Sequence, residues 1–424
     1  MLNASINLNV RGLKKSATLE INERSIALEK SGNKIYRFGL GQSPFPVPES
    51  VVKALKDNAH QKDYLPVQGL RELRESISAF HLLNDDVRYH SDQILIGPGS
   101  KELMFLLQMV YYGDIQIPSP CWVSYAPQAR IIGRHIEVIP TSFESRWRIS
   151  PDHLKTILKI DPLKPRLLIL NYPGNPDGLT YSEIELQEIA EIARSHRLII
   201  LSDEIYGLLN HSGTHKSIAQ YYPEGTIISS GLSKWCGAGG WRLGTFAFPK
   251  ELTWILNAMN VVASETYTSV SAPIQYAAIR AFSMGNDINE YLHASREILK
   301  MIGNHLFDTL VKKDVRLHAP TGAFYLFPDF TSFKEQLYLR NISTSSDLAN
   351  SLLKETGVAT LPGSAFGCPK EELTLRLAYV NFNGRKALDW YSNTSLPTTD
   401  GLRKVCPEPF DAVDRIVEWI EQLH

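Results

Sequence analysis

From about residue 92 onward, the chain alternates short apolar runs with amphipathic stretches. The apolar runs fall at 93–96 (Q-I-L-I), 115–117, 167–170 (L-L-I-L), 198–201 (L-I-I-L), 226–228 and 245–248. Their length suits strands, and their lack of polar alternation suits strands buried on both faces. The stretches between them carry helix-start signals. Ser150 precedes Pro151 at a first helical position, and Ser182 stands three residues before Glu185 as a capping box. In the second of these helices Leu186, Ile189, Ala190 and Ala193 share one face. Strand–helix repetition of this kind predicts an α/β fold whose large domain has a mainly parallel sheet flanked by helices. Beyond residue 287 a long helical stretch runs to 316, and apolar runs at 323–327 and 373–380 predict strands among helices. That pattern predicts a smaller α+β domain. The expected division is a large domain over 45–290 and a small one from 1–44 with 291–424. The polar, turn-rich segment 383–409 reads as a long loop before a closing helix at 410–423.

Charge narrows the partners. Lysine plus arginine number 44 against 45 aspartate plus glutamate, so no net field draws the molecule to nucleic acid or to an anionic membrane. A small-molecule partner is favoured. Cys121, Cys236, Cys368 and Cys406 are widely separated, with neither metal-binding nor disulfide-framework spacing, so no metal is expected. The first residues lack an apolar core of signal-peptide length, and no stretch has the ~18 apolar residues that span a bilayer. A cytoplasmic location is the expectation.

Four polar clusters each follow directly on a predicted strand: G-P-G-S-K at 97–101, N-Y-P-G-N-P-D-G at 171–178, S-D-E-I-Y at 202–206 and S-S-G-L-S-K at 229–234. Open α/β sheets bind ligands at the carboxyl ends of their strands, so parallel strands would bring all four into one crevice. The glycine turn before the helix at 101–112 can offer backbone N–H groups and a helix dipole to a phosphate. Taken singly, such a turn is more often structural, Asp203 reads equally well as a helix cap, and Asn175 as a turn residue. Lys234 is different: W-C-G-A-G-G-W-R follows it, a composition unlike that of a solvated face.

In order and spacing these residues resemble the fold-type I pyridoxal-phosphate enzymes, specifically the class I/II aminotransferases related to aspartate aminotransferase. The resemblance spans about residues 39–379. It is carried by F-G-L-G-Q-S-P-F-P-V-P (38–48), D-Y-L-P-V-Q-G-L-R-E-L-R (63–74), N-Y-P-G-N-P-D-G, D-E-I-Y, S-K-W-C-G-A-G-G-W-R-L-G (233–244) and the late arginine of L-R-L-A-Y.

The resemblance implies a site residue by residue. Lys234 would carry pyridoxal 5′-phosphate as a Schiff base and shuttle the substrate's α-proton. Asp203 would pair with the ring nitrogen, and Asn175 and Tyr206 would hydrogen-bond the ring's 3′-oxygen. Ser100, Lys101, Ser233 and Arg242 would hold the phosphate, with Tyr64 reaching it across a homodimer interface. Trp122 would stack on the ring. Arg376, assisted by the backbone of Gly41 and by Asn175, would grip the substrate α-carboxylate. Periodicity alone makes Arg376 solvent-exposed, because it shares a strand face with Thr374 and Ala378, opposite Leu375 and Leu377.

The chain also departs from the family pattern. Gly231 stands three before the lysine, where many relatives have a phosphate-binding serine or threonine, and Asp177 replaces the usual threonine of N-P-T-G. The implied reaction moves an amino group between an L-amino acid and a 2-oxo acid, with 2-oxoglutarate and glutamate as one pair. A carbon–sulfur β-lyase on the same scaffold is the alternative, since cofactor motifs do not separate the two. Substrate signals conflict: 263–271 lacks the arginine that binds acidic side chains in some relatives, whereas K-K-S-A-T (14–18) resembles their N-terminal closing segment. The 40 or so residues before the scaffold hold no basic helix, which argues against a DNA-binding regulator.

Overall fold

The computed structural model describes residues 6–13 and 15–423; Lys14 of the K-K-S-A-T segment lies outside the described residues. Among the described residues, twelve strands follow in chain order. After β1 (Tyr36–Arg37) come β2 (Ile94–Gly97), β3 (Asp114–Ser119), β4 (Ile136–Pro140), β5 (Arg166–Asn171), β6 (Ile199–Asp203), β7 (Thr226–Gly231) and β8 (Gly244–Ala247). The last four are β9 (Tyr325–Leu326), β10 (Val358–Ala359), β11 (Leu361–Pro362) and β12 (Leu375–Ala378).

Strands β2 to β8 form one sheet of seven in the order β2-β8-β7-β6-β5-β3-β4. Only β8 runs against its neighbours, pairing antiparallel with both β2 and β7. Both faces of this sheet are covered, as the unbroken apolar runs require. Leu167 and Ile169 of β5 pack with Leu103 and Leu107 of helix Ser100–Val110, while Leu168 and Leu170 pack with Leu186 and Ile189 of helix Glu183–Ser195. Ser182 accepts from the Glu185 backbone N–H at 3.3 Å while the Glu185 carboxylate accepts from the Ser182 N–H at 2.6 Å, so the predicted capping box forms. A three-stranded antiparallel sheet, β11-β12-β9, and the pair β1-β10 stand apart from the large sheet. The helix Asn286–Val311 and the closing helix Glu408–Glu421 pack in one continuous apolar core with them.

The structure departs from the sequence pattern in three places. Segment 383–409 is not one long loop: it holds helices Gly384–Ser392 and Thr399–Val405. Their caps explain the misreading, because Asn383 and Thr398 accept from the Lys386 and Gly401 backbone N–H groups, and capping residues are also turn residues. Strand β4 went unread because it is a short edge strand with Glu137 in it and Val138 exposed. Arg376 is not exposed: all four residues of β12 are buried, because this short strand is covered on both faces.

Candidate active site

The carboxyl ends of β2, β5, β6 and β7 open onto one cavity of about 480 Å³. Each polar cluster contributes to its wall: Ser100 and Lys101, Asn171 and Asn175, Asp203 and Tyr206, and Ser233 and Lys234. Gly41, Trp122 and Arg242 line it as well. The convergence follows from sheet topology, since β2 and β7 are each antiparallel to β8 and so run in the same direction.

One end of the cavity is cationic. Gly99 turns with φ 95°, a conformation that favours glycine, and lets the Arg242 guanidinium lie against the turn that starts helix Ser100–Val110. Arg242 donates to the carbonyls of Gly239 at 3.0 Å and Pro98 at 3.2 Å. Lys101 lies 5.2 Å from the Trp122 ring centroid. Burial and the nearby Arg242 depress the Lys101 pKa. Two cations and a helix N-terminus facing one space form an anion site. Gly231 is not a missing ligand so much as a spatial necessity: a Cβ there would meet the Leu243 carbonyl at 2.7 Å.

The other end is a buried carboxylate. Asp203, 3% exposed, accepts from the Tyr125 hydroxyl at 2.6 Å and from Ser229 at 3.4 Å. Burial pushes its pKa up to about 6 against those two hydroxyls, the Ile205 N–H and Lys234, all of which lower it. Asn171 ties this strand end to the next cluster, donating to the Asp203 carbonyl at 2.8 Å and accepting from the Asn175 N–H at 2.8 Å.

Lys234 lies within the field of Asp203, Arg242 and Lys101; its Nζ donates to the Gly41 carbonyl at 2.8 Å and lies 5.5 Å from the Tyr206 ring centroid. Burial, then Arg376, Arg242 and Lys101, push its pKa down to about 8, with Asp203 opposing. A sizeable fraction of this amine is therefore neutral and nucleophilic near physiological pH, unlike that of an ordinary lysine.

Arg376, 1% exposed, does not itself line the cavity but adjoins it through Asn175, whose Oδ1 accepts from its Nη1 at 3.1 Å. Its Nη2 donates to the Gly39 carbonyl, and its guanidinium lies 4.8 Å from the Tyr325 ring centroid. Its Nε is buried without a hydrogen-bond partner, and the groups acting on its charge are tyrosines rather than carboxylates. A buried guanidinium left in this state calls for an anionic ligand. Tyr64 does not line the cavity either, and unlike Arg376 it is exposed, at 91%.

Sequence reasoning missed Tyr125, Asn171 and Tyr325. Asn171 opens a quoted motif and Tyr125 follows Trp122 within P-C-W-V-S-Y, so both lay beside a signal. Tyr325 carried none, because an aromatic in G-A-F-Y-L-F reads as core. Asp177 is more than a turn residue: it is buried, ion-paired with Arg148, and its Oδ1 accepts from the Leu179 N–H at 2.8 Å.

Sheet and site together define a cavity suited to an anionic ligand beside a lysine amine. An anion cradle, a lysine amine and a buried carboxylate line a single cavity, and that donor set fits pyridoxal phosphate. Residues 33–383 match the family described as "Aminotransferase class I and II". The chain is 32% identical over 381 residues to an aspartate aminotransferase of Bacillus sp. (strain YM-2), covering 88% of this chain and 93% of that one. It is 30% identical over 387 residues to the asparagine–oxo-acid transaminase of Streptococcus mutans, covering 88% and 94%. The solved aspartate aminotransferase of Thermus thermophilus with maleate superposes with a TM-score of 0.83 at 26% identity, covering 98% of this chain and all of that one. The chain belongs to the class I and II aminotransferases, on the fold-type I scaffold of the aspartate aminotransferases. It is a transaminase that uses pyridoxal 5′-phosphate to move an amino group between an amino acid and a 2-oxo acid. Among the described residues, no helix is long and apolar enough to cross a membrane.

Proposed function

We propose that this transaminase passes amino groups from a four-carbon L-amino acid, aspartate or its amide, to 2-oxoglutarate, and that it works as a two-fold homodimer in the cytoplasm. The observation that carries the reading is Arg376: a buried guanidinium with an unpartnered Nε, beside Asn175 and within the field of the Lys234 amine, is what an amino acid's α-carboxylate requires. The donor class rests on the Bacillus and Streptococcus relatives, named for aspartate and asparagine. Maleate on the Thermus structure points the same way, because it is a four-carbon dicarboxylate.

The residue roles follow from the site's charge. Pyridoxal phosphate supplies an electron sink for the pair released when the α-proton leaves. Arg242, Lys101, Ser100 and Ser233 bind its phosphate, and Trp122 covers its ring. Asp203 holds a proton at the ring nitrogen, since a cation beside a buried carboxylate restores its ionised form. Tyr206 and Asn175 donate to the 3′-oxygen. Lys234 Nζ would move the proton between the substrate's α-carbon and the cofactor's C4′ carbon, while Arg376 and the Gly41 backbone orient the α-carboxylate. Tyr64, exposed on its own subunit, reaches the partner's phosphate. The large domain would then be 45–290, which holds the seven-stranded sheet, and 1–44 with 291–424 the small one.

Incubating the holoenzyme with a panel of amino acids and 2-oxoglutarate tests this. Glutamate should form fastest from aspartate or asparagine. Pyruvate and ammonia released without glutamate would place the chain among the lyases instead.

A further inference from the structure

We propose that Tyr325 is a positioning residue: its hydroxyl donates to Tyr206 and turns the Tyr206 proton toward the cofactor, while its ring holds the Arg376 guanidinium in place. This rests on the roles given above to Tyr206 and Arg376.

Tyr325 lies in β9 opposite Ala378 of β12, two residues on from Arg376. Its hydroxyl is 2.7 Å from the Tyr206 hydroxyl, and its ring centroid is 4.8 Å from the Arg376 guanidinium carbon. The same hydroxyl abuts Gly41, where any added Cβ would collide with it. Gly41 in turn presents the carbonyl that accepts from Lys234 Nζ. One phenol therefore touches the three elements that carry Tyr206, Arg376 and the Lys234 acceptor.

Proton accounting gives the pair a direction. Each phenol has one proton, and each finds only the other as a hydrogen-bond partner among the described residues. Tyr325 is enclosed, 1% exposed, whereas Tyr206 lines the cavity. If Tyr206 donated to Tyr325, the Tyr325 proton would be buried without an acceptor. If Tyr325 donates to Tyr206, both protons are used once a ligand oxygen sits in the cavity. The chain Tyr325→Tyr206→ligand also strengthens its second bond, because a donor that is itself accepting is more polarised.

The readout is the pH titration of the bound cofactor's visible absorbance, which does not depend on turnover. A weaker donor to the 3′-oxygen destabilises its ionised form, so Tyr206→Phe should raise the midpoint. Tyr325→Phe, which keeps the ring over Arg376, should raise it by a smaller amount. The double variant should match Tyr206→Phe alone, since the hydroxyl of Tyr325 acts only through Tyr206. Tyr325→Leu should add a severalfold rise in KM for every amino acid, through loss of the ring. A Tyr325→Phe midpoint equal to wild type beside a shifted Tyr206→Phe overturns the proposal, as does an additive double variant. A Tyr206→Phe midpoint equal to wild type would sink the assigned role of Tyr206 and the proposal with it. A purely structural Tyr325 would lower Tm and leave every midpoint in place.

Discussion

The Tyr125 hydroxyl donates to Asp203 Oδ2 at 2.6 Å, and both groups are buried. The tyrosine thus supports the ionised form of a carboxylate that burial would otherwise neutralise, and it stands first among the groups opposing that burial. Tyr125→Phe should push the Asp203 pKa further above about 6. Cofactor affinity, measured from pH 5 to 8, should then rise with pH later than in wild type, because only the ionised carboxylate attracts the ring cation. Superimposable affinity profiles would remove Tyr125 from this role.

The amine of Lys234 makes a prediction about capture of the cofactor. With its pKa pushed down to about 8, the rate of covalent capture by the apoprotein should climb with pH and level off above about 8. Arg376 is the largest charge lowering that value, so Arg376→Met should move the midpoint upward. A stopped-flow midpoint near that of an ordinary lysine would contradict the account.

Arg376→Lys replaces a planar fork by a point charge. Because the α-carboxylate is common to all substrates, KM should rise across every amino donor and 2-oxo acceptor, on the order of ten- to hundredfold if one charged hydrogen bond worth ~1.5–3 kcal/mol is lost. A loss confined to one donor would instead put Arg376 at the side chain.

Behind the sheet end, Glu204 and His215 form a buried pair at 2.9 Å, their side chains 4% and 6% exposed. Burial opposes both charges, yet each partner wins: the Glu204 pKa is lowered and the His215 pKa raised. Stability from the histidine is complete below its unfolded value and is lost as pH rises through its higher folded one. Stability from the glutamate is lost as pH falls through its lowered value. His215→Gln leaves a buried carboxylate without its cation and should cost about 3–5 kcal/mol at neutral pH, read by denaturant unfolding. The pH midpoint of cofactor capture should stay at its wild-type position, because neither residue touches Lys234.

Much of this site was legible because its chemistry sits at strand ends. The polar clusters that contain Asp203, Asn175 and Lys234 follow apolar runs directly, so the sheet topology alone carries them to one cavity. Arg376 was misplaced by pattern: Thr374, Arg376 and Ala378 alternate with leucines as a solvent face would, yet the four-residue strand is covered on both faces. Tyr325 was silent, being an aromatic among aromatics whose hydroxyl finds its partner 119 positions away. The misread segment 383–409 shows the converse, since capping asparagine and threonine mark a helix start and a turn with the same letters.

The central claim is that Lys234 holds the cofactor. Borohydride reduction of the yellow holoenzyme, followed by peptide mapping, tests it most directly. The account predicts a single pyridoxyl label, on the peptide containing Lys234, and none in Lys234→Ala treated identically. A label on another lysine, or no label at all, would contradict it.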